Sequence, residues 1–185
     1  RATWAFPTDG LVIKRDAVSE QALLGATDYA PRWAVAYKFS GQRAATRVRE
    51  ITLQVGRTGV LTPVAELEPV MLGGSMVARA TLHNAAEIAR LDVRVGDFVF
   101  VEKAGEIIPA VRGVDMTRRE AGVKMYSFPH DCPECGAAVV TRDEDSRRKF
   151  CANLDCVGRA IARLRHFAGA QGGAIRDLGD ETIAT

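Results

Sequence analysis

The chain has 185 residues, 47% of them apolar and 26% charged, and its 25 Lys and Arg stand against 23 Asp and Glu for a formal charge of +2. That is an ordinary globular balance with room for one large or two to three small domains, and the charge is too small to name a partner: it permits nucleic acid without demanding it. No run approaches the ~18 apolar residues of a membrane span, and no charged segment followed by an apolar one opens the sequence, so neither a membrane helix nor a signal peptide is expected.

The first residue is Arg1, "RATWAFPTDG" opens as if in mid-strand, and Thr185 ends inside a helical pattern, so a piece of a longer protein is expected. Residues 1–40 hold two strand patterns, "DGLVIKRD" and "RWAVAYKF", joined by a short helical turn and a loop ending at Pro31. Strand side chains alternate, so Trp33, Val35, Tyr37 and Phe39 read as a bulky core face, with Ala34, Ala36 and Lys38 on the other. Lys14 shares a face with Gly10 and Val12, while Leu11 and Ile13 point to the core. The two lysines could flank one cavity that takes an anion. Spacing alone favours the plainer reading, in which each is a strand-end surface charge.

Residues 41–118 read as "ATRVREITLQV", a tight "GRTG" turn, "VLTPVAELEPV" with Pro63 suggesting an edge or a bulge, and a third strand in "LGGSMVARATL". Arg43, Arg47 and Arg49 sit close together at the start. Asn84 followed by Glu87 is a capping pair and predicts a helix from Ala85 to Leu91. "VGDFVFVEKAG" and "EIIPAVRGV" are the fourth and fifth strands. Three strands, a short helix and two strands is the order of an OB-fold, a five-stranded barrel that often binds nucleic acid. Arg57 lies at a turn tip, Lys103 precedes a turn, and one of the adjacent Ile107 and Ile108 must face outward as an apolar wedge or an ordinary strand entry.

All four cysteines fall in residues 119–157, as C-x2-C and C-x4-C separated by 15 residues: Cys132, Cys135, Cys151 and Cys156. Two disulfides would suit a secreted protein; the spacing and the lack of other cysteines favour a closed, structural four-thiolate zinc site in a reducing cytosol. Arg147, Arg148 and Lys149 beside it could touch phosphates or form a solvated face, and His130 reads as a surface residue. Residues 158–185 begin with Ile161, Leu164 and Phe167 at helical spacing, and a second short helix follows a glycine-rich break. The fold class is thus multi-domain and mainly β: an OB barrel, a small four-cysteine finger and a short helical segment.

Taken together, "TDGLVIKRD", "RWAVAYKF", "QVGRTGVLTPVAELEPV", "RATLHNAAEI", "VGDFVFVEKAGEIIPAV" and "CPECG…CANLDC" resemble, in this order, the bacterial NAD-dependent DNA ligases, over essentially the whole chain. The resemblance implies an enzyme that moves AMP from NAD to a lysine, then to the 5′-phosphate of a nick, and seals it with the 3′-hydroxyl, with magnesium required. It implies that residues 1–40 end the nucleotidyltransferase domain and that residues 158–185 open a helix-hairpin-helix domain. Lys14 and Lys38 would contact the adenylate and its phosphate, Asp9 would serve metal-assisted transfer, and Arg1 falls where the family has an active-site arginine. Arg57, Lys103, Ile107 and Ile108 would meet nicked duplex DNA, the last two in its minor groove. A cytoplasmic monomer holding a structural zinc ion is expected. Two departures stand out: the K-x-D-G nucleophile motif is absent, and "DLG" puts Asp177 where the family's hairpin has its first glycine. The competing class is a non-catalytic DNA-binding module of OB barrel and zinc finger; a protein-interaction module finds no positive feature.

Overall fold

A computed structural model of the chain describes residues 8, 10–39, 41–103, 108–142 and 147–184. Strand β1 (Gly10–Lys14) and strand β2 (Ala34–Lys38) form an antiparallel two-stranded sheet, with helix α1 (Val18–Leu24) between them in sequence. The register sets Gly10 opposite Lys38 and Lys14 opposite Ala34. Opposed residues share a face, so Gly10, Val12 and Lys14 lie with Ala34, Ala36 and Lys38. The other side, read from sequence as a core face, is not one among the described residues. Tyr37 is 59% exposed, and Leu11, Ile13 and Val35 are exposed with it, because a two-stranded sheet has no second layer to bury a face against.

Five strands close the barrel: β3 (Gln42–Val55), β4 (Val60–Leu72), β5 (Ser75–Thr81), β6 (Phe98–Lys103) and β7 (Ala110–Val114). β3 pairs with both β4 and β6, β4 with β5, and β6 with β7, all antiparallel; β5 meets β7 in parallel at Thr81 and Ala110, completing the OB-fold. Alternate residues along these strands bury Val48, Leu67, Val99, Val101 and Val111 in one core, joined by Leu82. Pro63 stands in β4 opposite Leu53, away from the register shifts at Val48/Glu50 and Glu66/Val70, so it marks no bulge; it lies just before the β4 pairing with β5 begins at Val64, at the edge that the sequence suggested. An antiparallel ladder points alternate N–H groups away from a given neighbour, which accommodates a residue without one. The fifth strand starts at Ala110, later than its sequence pattern.

Helix α2 (Ala85–Leu91) links β5 to β6, and the Asn84 side chain accepts from the Glu87 N–H at 2.9 Å, as the capping pair predicts. It ends on Asp92, whose φ of 50° is left-handed. The chain leaving the barrel is clasped there. The Asp97 carboxylate, on a residue 1% exposed, accepts from Arg119 Nε at 2.9 Å, from Arg119 Nη2 at 2.7 Å and from the Arg94 N–H at 2.8 Å. Asp92 joins the cluster through Arg94 and Arg119.

The cysteine segment does not stand apart. Strands β8 (Val139–Val140) and β9 (Lys149–Cys151) pair antiparallel, and β9 continues the barrel sheet by pairing Phe150 with Val60 and Lys149 with Leu61 of β4. Helix α3 (Val157–Ala168) follows, then α4 (Asp180–Ala184). On α3, Leu164 and Phe167, periodic in sequence, are exposed, Phe167 at 62%. Among the described residues no helix is long and apolar enough to cross a membrane.

Candidate metal centre and nucleic-acid interface

The four cysteine sulfurs lie within 4.8 Å of one another. Cys132 Sγ is 3.9 Å from Cys156 Sγ, and Cys135 Sγ is 3.5 Å from Cys151 Sγ. Sulfurs about 2.3 Å from a tetrahedral zinc ion would be ~3.8 Å apart, so the donor set fits that ion with small adjustments. Local structure prepares it. The Gly136 N–H donates to the Cys132 carbonyl at 2.9 Å, and the Cys132 N–H to Ala137 at 2.8 Å, folding "CPECG" into a knuckle; Gly136 takes a φ of 68° there. Cys156 is the N-cap of α3, so that helix fixes its position. Cys132, Cys151 and Cys156 are buried and Cys135 is exposed. Burial pushes the Cys132 thiol up and the Cys151 thiol up to about 12, the latter helped by its hydrogen bond with Cys135. The Ala137 backbone N–H, the largest influence on Cys135, brings it down to about 7. Four thiolates in this space need a cation to hold them ionised.

The barrel contributes two places that sequence pointed to. Arg57 and Thr58 are exposed at the tip of the β3–β4 turn, closed by the Gly56 N–H to Val60 O bond at 2.8 Å; Gly59, at a φ of 86°, supplies the backbone shape. Lys103 lies at the other end of β3, opposite Gln42, and its Nζ donates to Ser75 Oγ at 2.8 Å. The two cations are therefore separated by the length of β3, up to about 45 Å if that strand were straight. Ile108 is 72% exposed, as a wedge requires; Ile107 lies outside the described residues. The arginine cluster is partly neutralised, Arg43 pairing with Glu102 at 2.6 Å and Arg47 with Glu120 at 2.8 Å.

In the two-stranded sheet Lys14 and Lys38 stand on one face, four residues apart along the ladder, or about 13 Å. Lys14 Nζ is 6.0 Å from the Trp33 ring centre. A Cβ on Gly10 would meet Tyr37 O at 2.5 Å, so glycine is there for a close backbone approach. Arg1 and Asp9 lie outside the described residues. Arg147, Arg148 and His130 are exposed, and Lys149 donates to Thr141 Oγ1 at 2.9 Å. Asp177 takes a φ of 63°, the conformation a glycine adopts easily. Sequence reasoning missed Ser75, which no motif marks, and Arg159, whose one signal is its place three residues after a cysteine.

Comparison with known proteins gives two family matches in chain order. Residues 1–42 match the NAD-dependent DNA ligase adenylation domain, and residues 45–123 match the NAD-dependent DNA ligase OB-fold domain. DNA ligase 1 of Opitutus terrae is 54% identical over 183 residues, 99% of this chain and 27% of its own length. The DNA ligase of Anaplasma marginale is 46% identical over 99% of this chain and 27% of its own length. That of Rhodospirillum rubrum is 46% identical over 100% of this chain and 26% of its own length. The chain thus spans about a quarter of the length of the curated relatives it matches.

Proposed function

This chain belongs to the NAD-dependent DNA ligase family, and from that premise we propose that it serves the sealing of nicks in duplex DNA. The observation that carries this reading is identity of 46–54% to DNA ligases along 99–100% of the chain. In the whole enzyme AMP passes from NAD to a lysine, then to the 5′-phosphate at the nick, before the 3′-hydroxyl closes the bond. Magnesium, when bound, screens charge on the reacting phosphates, and Asp9 offers it a carboxylate. Lys14 and Lys38 give one face of the two-stranded sheet two positive charges for the adenylate, and small Ala34 and Ala36 leave room; Arg1 adds an active-site cation in the family's pattern. Arg57 and Lys103 hold phosphates at the two ends of β3, and Ile107 and Ile108 enter the minor groove. The four cysteines hold one structural zinc ion.

This chain supplies part of the adenylate pocket and the DNA-binding modules, and works as a cytoplasmic monomer. The absence of K-x-D-G favours a narrower second reading for the chain by itself, a DNA-binding module without catalysis. The test is binding to a nicked duplex across a salt series. Affinity is expected to fall steeply with salt, and Arg57→Glu or Lys103→Glu to weaken binding and flatten the log–log slope by about one. Unchanged affinity in both variants would move the DNA face elsewhere.

A further inference from the structure

Arg159 is 6% exposed, an unusual place for a guanidinium. Its Nη1 donates to the Asn153 carbonyl at 3.1 Å, while its Nε is buried with no hydrogen-bond partner among the described residues. No carboxylate among the described residues forms an ion pair with it. A buried cation needs a compensating charge, and the surroundings of Arg159 point to one source. Asn153 O, which it contacts, also lies 3.8 Å from Cys151 Sγ. Cys156 is three residues earlier at the start of the same helix, a spacing that places both on one face. On its other side the guanidinium presses on the barrel: a Cβ at Gly59 would stand 3.2 Å from both Arg159 Cζ and Nε. Gly59 O in turn accepts from the Cys151 N–H at 2.9 Å.

We propose that Arg159 is the built-in counter-charge of the metal centre. Four thiolates around a divalent zinc ion carry a formal charge of about −2. The fixed guanidinium offsets part of that charge inside a region that excludes water, and it does so while seated against the turn that presents Arg57. Arg159 touches no reacting group; it is a positioning residue that offsets the net charge of the loaded centre and ties the finger to the barrel. This rests on reading the cluster as a zinc site.

The test is zinc release from the full zinc-loaded chain to an excess chelator, followed by a zinc-responsive dye. Arg159→Gln keeps a donor for Asn153 O and removes the charge; it is expected to release zinc about 10- to 100-fold faster, the range for residues that support metal ligands. Arg159→Lys restores the charge and is expected to stay within a few-fold of wild type. Release from Arg159→Gln as slow as from wild type, or equal rates for the Gln and Lys variants, overturns the proposal. Should Arg159→Gln fail to fold, Arg159→Met, which fills the space without charge, is judged by the same comparison with Lys. A wild-type chain that takes up no zinc refutes the metal site itself, and the proposal with it.

Discussion

Leu61 is where barrel and finger share an interior. It is 1% exposed, pairs with Val55 of β3 and Lys149 of β9, and clusters with Cys132, Cys151 and Cys156. Leu61→Ala removes three carbons, about 2.4 kcal/mol of transfer free energy at ~0.8 kcal/mol each. A cavity contribution adds to this, and sulfurs fixed around a metal cannot close in on the gap, so the total is expected at about 3–4 kcal/mol. Urea unfolding of the zinc-loaded chain, followed by far-ultraviolet circular dichroism, should show a midpoint lower by roughly 1–2 M. The same variant should release zinc to a chelator several-fold faster. Val99→Ala, in the barrel interior and outside the cysteine cluster, should lower the midpoint without changing zinc release. If Leu61→Ala unfolds earlier yet holds zinc as wild type does, the two units do not share stability and the reasoning from their common core is wrong.

Two other outcomes follow from the site and the clasp. Incubation with NAD should leave the mass of the chain unchanged, since no K-x-D-G lysine is present; an AMP adduct that persists in Lys14→Ala and Lys38→Ala would contradict this. Hydrogen bonds from Arg94 and then Arg119 hold the Asp92 carboxyl below its usual pKa. A carboxyl depressed on folding stabilises the protein above its unfolded pKa of ~3.9 and loses that effect as pH falls. Asp92→Asn, which tolerates the left-handed φ, should therefore lower the urea midpoint at about pH 7, and the gap to wild type should narrow as pH falls below about 4; a gap that does not narrow would show that charge is not what Asp92 contributes.

The elements legible in sequence were those whose signal is local. Asn84 and Glu87 are three residues apart, and the Asn84 side chain accepts the Glu87 N–H at the helix start without outside help. The barrel strands alternate because each has one wet and one dry side, and the cysteine spacing states its own geometry. What stayed hidden depends on distant partners. Nothing near Lys149 announces that it will lie opposite Leu61, and Asp97 is unremarkable until Arg119 arrives 22 residues later. Arg159 looks like any surface charge on an amphipathic helix; only the packing of α3 against the Gly59 turn buries it. The face of Val35 and Tyr37 shows the reverse error, since alternation describes which side a residue takes and not whether another layer covers it.

The two residue pairs between β9 and β4 have a consequence for how the protein behaves in company. A closed barrel has no free edge, yet β4 begins at Val60, four residues before its pairing with β5 starts at Val64. That projecting end is covered by β9. Stripping the metal would therefore do more than loosen a small ribbon. It would uncover an apolar leucine beside unpaired backbone N–H and C=O groups, the combination through which strands of separate molecules add to one another. On the zinc reading of the cysteines, a loaded centre would insulate that edge and so disfavour strand addition between copies of the chain.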